Sequence, residues 1–168
     1  MSDTNARLAK LEQRVQALED EIEIHRTITT YGLAVDVGDA DRTAWVYTED
    51  TMFDVDGKAD MAGRKGVRAM VRGNGHQSLL PDCAHTIGPA VVKLMGKDKA
   101  VATSYSRIYH REGEAFRLFR LSYNRFTMEK RDGRWQIKHR KTTKLGDPTA
   151  HDIFKQSIKE LIPNPPKG

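Results

Sequence analysis

"KAVATSYSRIYHREGEAFRLFRLSYNRFTMEKRDGRWQIKHRKTTK", residues 99–144, decides the fold. Side chains here alternate with a period of two, the pattern of strands whose successive residues face opposite sides of a sheet. Two polar turns, "REGE" at 111–114 and "RDGR" at 131–134, divide the stretch into strands at about 99–111, 114–130 and 133–144. A third turn, "MGKDK" at 95–99, joins them to an earlier strand at about 83–95. Strands linked in series by tight turns form an antiparallel meander.

Toward the N-terminus the period becomes helical. Residues 5–37 carry one long helix pattern, in which Leu8, Leu11, Val15, Leu18 and Ile22 recur three and four apart as two heptads. Ile24, Ile28, Tyr31 and Val35 continue on a drifting face, so the first half reads as an arm for another subunit and the second as a helix laid on a sheet. Gly38 ends the helix, "DRTAWVY" is a short helix expected to bury Trp45, "TMFDVDG" is a short strand, and "GRKGVRAMVRGNG" is a second short helix. Helices followed by long antiparallel strands make an α+β plan. A strongly twisted sheet coils, so the expected architecture is a cone-shaped α+β barrel, closed around a pocket by the long helix and two short ones. Residues 1–22 are the helical arm, continuous with a domain spanning 5–145, and 146–168 are a tail with a short helix and a proline-rich end.

A chain of 168 residues is long enough for one core and one pocket. Its net charge of +5 comes from basic residues interleaved with acids, without a basic arm or a nucleic-acid motif, so nucleic acid is not an expected partner. No run approaches the roughly 20 apolar residues of a membrane span, and the N-terminus lacks a signal peptide's apolar core, so a cytoplasmic protein is expected. Cys83 is the only cysteine, which leaves no internal disulfide, and no His-x-His or His-Glu-x-x-His spacing occurs. No metal or cofactor is expected; the expected ligand is a small molecule.

Candidate chemistry gathers around "PDCAHTIG", residues 81–88, where His85 stands among small and apolar neighbours. Period two sets His85 with Ile87 and Val91, and Ser104 with Ser106, Ile108 and His110. It also places Arg120, Ser122 and Asn124 inside an apolar frame of Phe116, Leu118, Phe126 and Met128. On the last strand Trp135 and Ile137 mark the inward face, and His139 shares their parity. Asp36 lies in the apolar "YGLAVDVGD" at the end of the long helix, where the helix dipole disfavours a carboxylate by roughly 0.3–1 kcal/mol. A carboxylate so placed wants a partner. A histidine would gain a fixed tautomer and a more basic second nitrogen. Tyr31 and Tyr47 could donate a proton to a leaving oxygen or carbonyl.

The stretches "YGLAVDVGDADRTAWVYTEDTMFD", "AHTIGPAVVKLMGKDKAVATSY" and "MEKRDGRWQIKHR" together resemble the SnoaL-like branch of the nuclear-transport-factor-2-like (NTF2-like) superfamily, over about residues 8–145. That branch includes polyketide cyclases, scytalone dehydratase, bile-acid dehydratase and hexachlorocyclohexane dehydrochlorinase. The resemblance implies a cystatin-like barrel and, in the lyases, cofactor-free elimination by an Asp–His pair. Asp36 and His85 match that pair, Phe53 falls at an aromatic pocket wall, and His110 and Asn124 fall near polar pocket positions. Arg140 matches an arginine of the dehydrochlorinase, whereas parity points His139 inward; both stand as candidates. Tyr31 replaces a lysine of that enzyme, which argues against its particular reaction.

The expected function is therefore a cofactor-independent lyase of the dehydratase type, cleaving a C–O or C–C bond of a small hydrophobic aromatic or polycyclic hydroxylated substrate. Asp36, His85 and Tyr31 would be catalytic, and Tyr47, Phe53, Ser106, His110, Asn124, His139 and Arg140 would bind substrate. An isomerase or cyclase of the same fold is the alternative. So is a non-catalytic role, as the small subunit of an aromatic-ring dioxygenase, whose cavity would be filled by side chains, or as a ligand-binding module. The heptads and the bulky outer strand face predict a homotrimer or homodimer.

Overall fold

The computed structural model describes residues 2–57 and 59–166. Helix α1 (Ser2–Asp36) is followed by α2 (Ala40–Trp45), strands β1 (Tyr47–Val55) and β2 (Ala59–Ala62), and helices α3 (Gly63–Arg72) and α4 (Asn74–Gln77). Strands β3 (Cys83–Ile87), β4 (Val91–Leu94), β5 (Lys99–Glu112), β6 (Ala115–Arg131) and β7 (Arg134–Lys144) precede a last helix, α5 (Pro148–Leu161). One sheet runs in the order β2-β1-β7-β6-β5-β3, with β4 also on β5. Only β1 on β7 is parallel; the other pairs are antiparallel, as the tight turns require. Among the described residues no helix is long and apolar enough to cross a membrane.

Three features depart from the expected pattern. The strand at 83–95 is two strands, because Gly88, Pro89 and Ala90 interrupt the ladder and a proline has no N–H to give it. Trp45 is 52% exposed under the Arg134 guanidinium, 3.7 Å from its ring centroid, and is not core. The tail helix has 14 residues, capped by Asp147 with Pro148 in its first turn, and lays Phe154 on Tyr123 of the sheet's outer side.

The core lies between the C-terminal half of α1 and the concave face of the sheet: Ile24, Ile28, Tyr31 and Val35 meet Tyr47, Phe53, Phe126, Met128, Trp135 and Ile137, with Val67 and Val71 of α3 closing one side. Asp20 ties the helix to the sheet, its Oδ1 accepting from Lys130 Nζ at 2.6 Å and Trp135 Nε1 at 2.9 Å. Burial alone would raise the Asp20 pKa, but these donors outweigh it and hold the carboxyl below its usual range. A depressed folded pKa stabilises above the unfolded value, about 3.9, and that contribution is lost as pH falls through the folded value. Asp20→Asn is expected to lower stability at pH 7 by about 1–3 kcal/mol, with the gap to wild type closing below about pH 4. Urea titrations at pH 7 and pH 3 measure it.

Candidate active site

Gly32 of α1 sits so close to β3 that an added Cβ would lie 2.3 Å from the His85 carbonyl oxygen. This close approach brings the end of α1 onto the start of β3. Asp36 Oδ2 accepts from the His85 backbone N–H at 2.7 Å, and Oδ1 meets His85 Nδ1 at 2.5 Å. The carboxylate thus binds both the backbone and the ring of one residue, which fixes the imidazole's orientation. With Nδ1 held by Asp36, Nε2 is the nitrogen left for other work, and it has no hydrogen-bond partner among the described residues. The partner that the helix dipole argument demanded for Asp36 is His85.

His85 lines a cavity of about 150 Å³ between the sheet, α1 and α3. An apolar cavity of that size holds one benzene ring. Phe53, Val55, Met61, Met70, Ile87 and Ile108 make its walls, and Tyr31, Ser106, Thr142 and three arginines supply polarity; among the described residues no Asp or Glu lines it. Arg120 is committed to Asp56 through two bonds, at 2.9 and 2.7 Å. Arg140 is different. It is 4% exposed, yet among the described residues its partners are all neutral groups: Nε donates to Asn124 Oδ1 at 3.0 Å, Nη1 to Tyr47 Oη at 3.4 Å, and its guanidinium lies 4.2 Å from the Tyr31 ring centroid and 4.6 Å from that of Phe53. A buried cation with no carboxylate partner among the described residues, facing a cavity, attracts negative charge developing there. Burial pushes the Tyr31 and Tyr47 hydroxyls above the ordinary phenol range against the pull of Arg140, so both are proton donors at neutral pH.

Of the expected site residues, Tyr31, Phe53, His85, Ser106 and Arg140 line the cavity, and Asp36 stands directly behind His85. Asn124 and Tyr47 do not line it; they form the layer beneath. Asn124 donates to Ser106 Oγ at 2.7 Å while accepting from Arg140, so one amide positions two cavity residues. His139 is a correction. β7 carries an extra residue, because Met128 pairs with Ile137 but Thr127 pairs with His139, leaving Lys138 as a bulge. The buried Thr51 hydroxyl bonds the Ile137 and Lys138 carbonyls at 3.1 Å each and pins the bulge. Parity therefore flips after Ile137: His139 faces solvent and Arg140 faces in. His110 is a second correction, since β5 continues past the cavity to set it opposite Cys83, its ring against Phe119, which bulges from β6.

Period two could not have found Met61 and Met70, which come from β2 and α3, or His76, whose Nε2 meets the Val35 carbonyl at 2.8 Å beside the end of α1. The His76 ring lies 5.8 Å from that of His85. Asp36, Cys83 and His85 hold three potential metal-ligand atoms within 4.8 Å of one another. The Cys83 thiol donates to Asp36 Oδ1 at 3.6 Å, and burial, with the Asp36 charge behind it, pushes its pKa up to about 11. It is a thiol at neutral pH, and a metal would have to displace that proton. Alkylation by iodoacetamide is expected to be slow at pH 7–8, its rate rising with pH toward an apparent pKa near 11; Asp36→Asn should move that midpoint down.

A family model described as the SnoaL-like domain matches residues 16–141. The chain belongs to this family. A solved NTF2-like protein with a cystatin-like fold from Novosphingobium aromaticivorans is 34% identical to this SnoaL-like chain, over 87% of it and 96% of the other, with a TM-score of 0.83. A Mycobacterium tuberculosis protein of unknown function is 23% identical over 82% of this chain and 78% of its own, with a TM-score of 0.69. A provisionally named scytalone dehydratase from N. aromaticivorans is 19% identical over 86% and 88%, with a TM-score of 0.62. The latter two speak to the fold alone. No curated protein matches the chain. SnoaL-like and NTF2-like proteins include dehydratases, cyclases and ketosteroid isomerases, a range that bounds the chemistry without choosing within it.

Proposed function

We propose that this SnoaL-like protein is a cofactor-independent lyase of the dehydratase type, acting on a hydroxylated substrate about one ring in size. The observation that carries it is the Asp36–His85 pair, with Nδ1 held at 2.5 Å and Nε2 left for an apolar cavity across which Arg140 is the buried cation. His85 Nε2 takes the proton from a carbon next to a carbonyl, and Asp36 stabilises the resulting imidazolium. The enolate oxygen is held by Arg140 and by the Tyr31 hydroxyl. Expulsion of the β-hydroxyl, protonated by the imidazolium, forms the double bond and releases water. Every proton passes between substrate and a named side chain, so no cofactor is called for. The cavity volume argues for one ring; a polycyclic substrate would have to extend through the mouth.

An isomerase is the second reading, favoured by one observation: His85 Nε2 has no hydrogen-bond partner among the described residues, so the nitrogen that takes a proton could return it to another carbon of the same substrate. The open cavity argues against the small-subunit role, which needs a filled one. Incubation with 3-hydroxycyclohexanone in D₂O separates these. Cyclohexenone, seen by its absorbance, supports the lyase. Deuterium uptake without elimination supports the isomerase, and neither product nor exchange across a panel of ring ketols would sink both.

A further inference from the structure

We propose that the N-terminal half of α1 is a parallel, two-stranded coiled-coil arm that pairs with the same arm of a second copy of this chain. This lies outside the proposed chemistry and does not depend on it. Leu8, Leu11, Val15, Leu18 and Ile22 are 49–61% exposed. Their spacing places Leu8, Val15 and Ile22 at a positions and Leu11 and Leu18 at d. An isolated helix of this length is marginal in water, and a stripe of five large apolar side chains gives it a strong reason to pair.

The flanking charges select the occupant. The g positions are Arg7, Arg14 and Glu21, and the e positions are Glu12, Glu19 and Arg26, all exposed. In a parallel pair each g faces the following e of the other helix. Arg7 then meets the second copy's Glu12, Arg14 its Glu19, and Glu21 its Arg26: every pairing is of opposite charge. An antiparallel pair sets e against e and brings Glu12 onto the second copy's Glu19, two acids together. β-Branched Val15 and Ile22 at a, with Leu11 and Leu18 at d, are the combination that favours two strands over three. Two heptads alone make a weak contact, so pairing is expected in the micromolar range, reinforced where the two bodies meet.

The full chain is examined by sedimentation equilibrium from 1 to 200 µM, as wild type, as L11E/L18E, as R14E and as R14E/E19R. The expected result is a wild-type dimer, a monomeric L11E/L18E variant with an unchanged circular dichroism thermal transition for the body, roughly tenfold weaker dimerisation of R14E, and recovery in R14E/E19R. In addition, Leu11→Cys should form an intermolecular disulfide on mild oxidation, because equal positions face each other only in a parallel pair; wild type, with Cys83 buried, is the blank. A monomer at 200 µM overturns the proposal. So does a trimer mass, a dimer indifferent to L11E/L18E, a charge swap that fails to restore pairing, or a Leu11→Cys dimer that does not cross-link.

Discussion

Replacing His85 with alanine is expected to lower elimination by about 10²–10⁴-fold, the usual worth of a positioned general base. Added imidazole should restore part of the loss by entering the space the side chain vacates. Rescue matters because a structural role would not produce it. His85 also donates its backbone N–H to Asp36, a contact the alanine variant keeps, so the end of α1 stays anchored to β3. Asp36→Asn acts differently. It removes the charge that offsets an imidazolium and leaves the neutral amide against both the His85 ring and backbone, so it should lose activity that imidazole cannot return. Arg140→Met should slow the reaction too, but with the pH–rate profile unmoved, since the guanidinium stays charged throughout the working range. If His85→Ala turns over at the wild-type rate, the base lies elsewhere and the mechanism falls.

The meander, the long helix and the need of Asp36 for a partner were legible in the sequence for physical reasons; that the partner is His85 came from the family resemblance. Period-two alternation and tight turns are local signals, and a carboxylate at a helix C-terminus announces its need for a partner. What stayed hidden depended on single residues inserted into strands. The bulge at Lys138 reversed the face of everything after it, exchanging His139 for Arg140, and nothing local in "QIKHRK" marks it; its anchor, Thr51, is 86 residues away. The family resemblance points to Arg140, and the bulge is what turns that residue inward in this chain. Trp45 and Trp135 show the same limit. Each follows a plausible pattern, but only Trp135 finds a buried acceptor for its indole N–H, the Asp20 carboxylate.

Gly32→Ala is expected to destabilise the protein by about 3 kcal/mol, or some 6–12 °C in melting temperature, and to remove most of the activity. Helix propensity predicts the opposite sign, since alanine inside a helix is better than glycine by about 1 kcal/mol. The contact decides against propensity. The new Cβ would lie 2.3 Å from the His85 carbonyl oxygen, and α1 must retreat by about 1.1 Å to reach the 3.4 Å of ordinary contact. The obstacle is backbone held in the β3–β5 ladder, where His85 pairs with Ile108, so it cannot swing aside as a side chain would. Asp36 lies one helical turn beyond Gly32 and travels with it, and its bonds to His85 at 2.5 and 2.7 Å have no slack for such a shift. Stability and catalysis should therefore fall together. Gly75→Ala is the control: nothing lies within 4 Å of its added Cβ, so the same chemical change should be neutral or slightly stabilising. A Gly32→Ala protein as stable as that control, with the same elimination rate as wild type, would show that α1 and β3 do not meet as closely as the site requires.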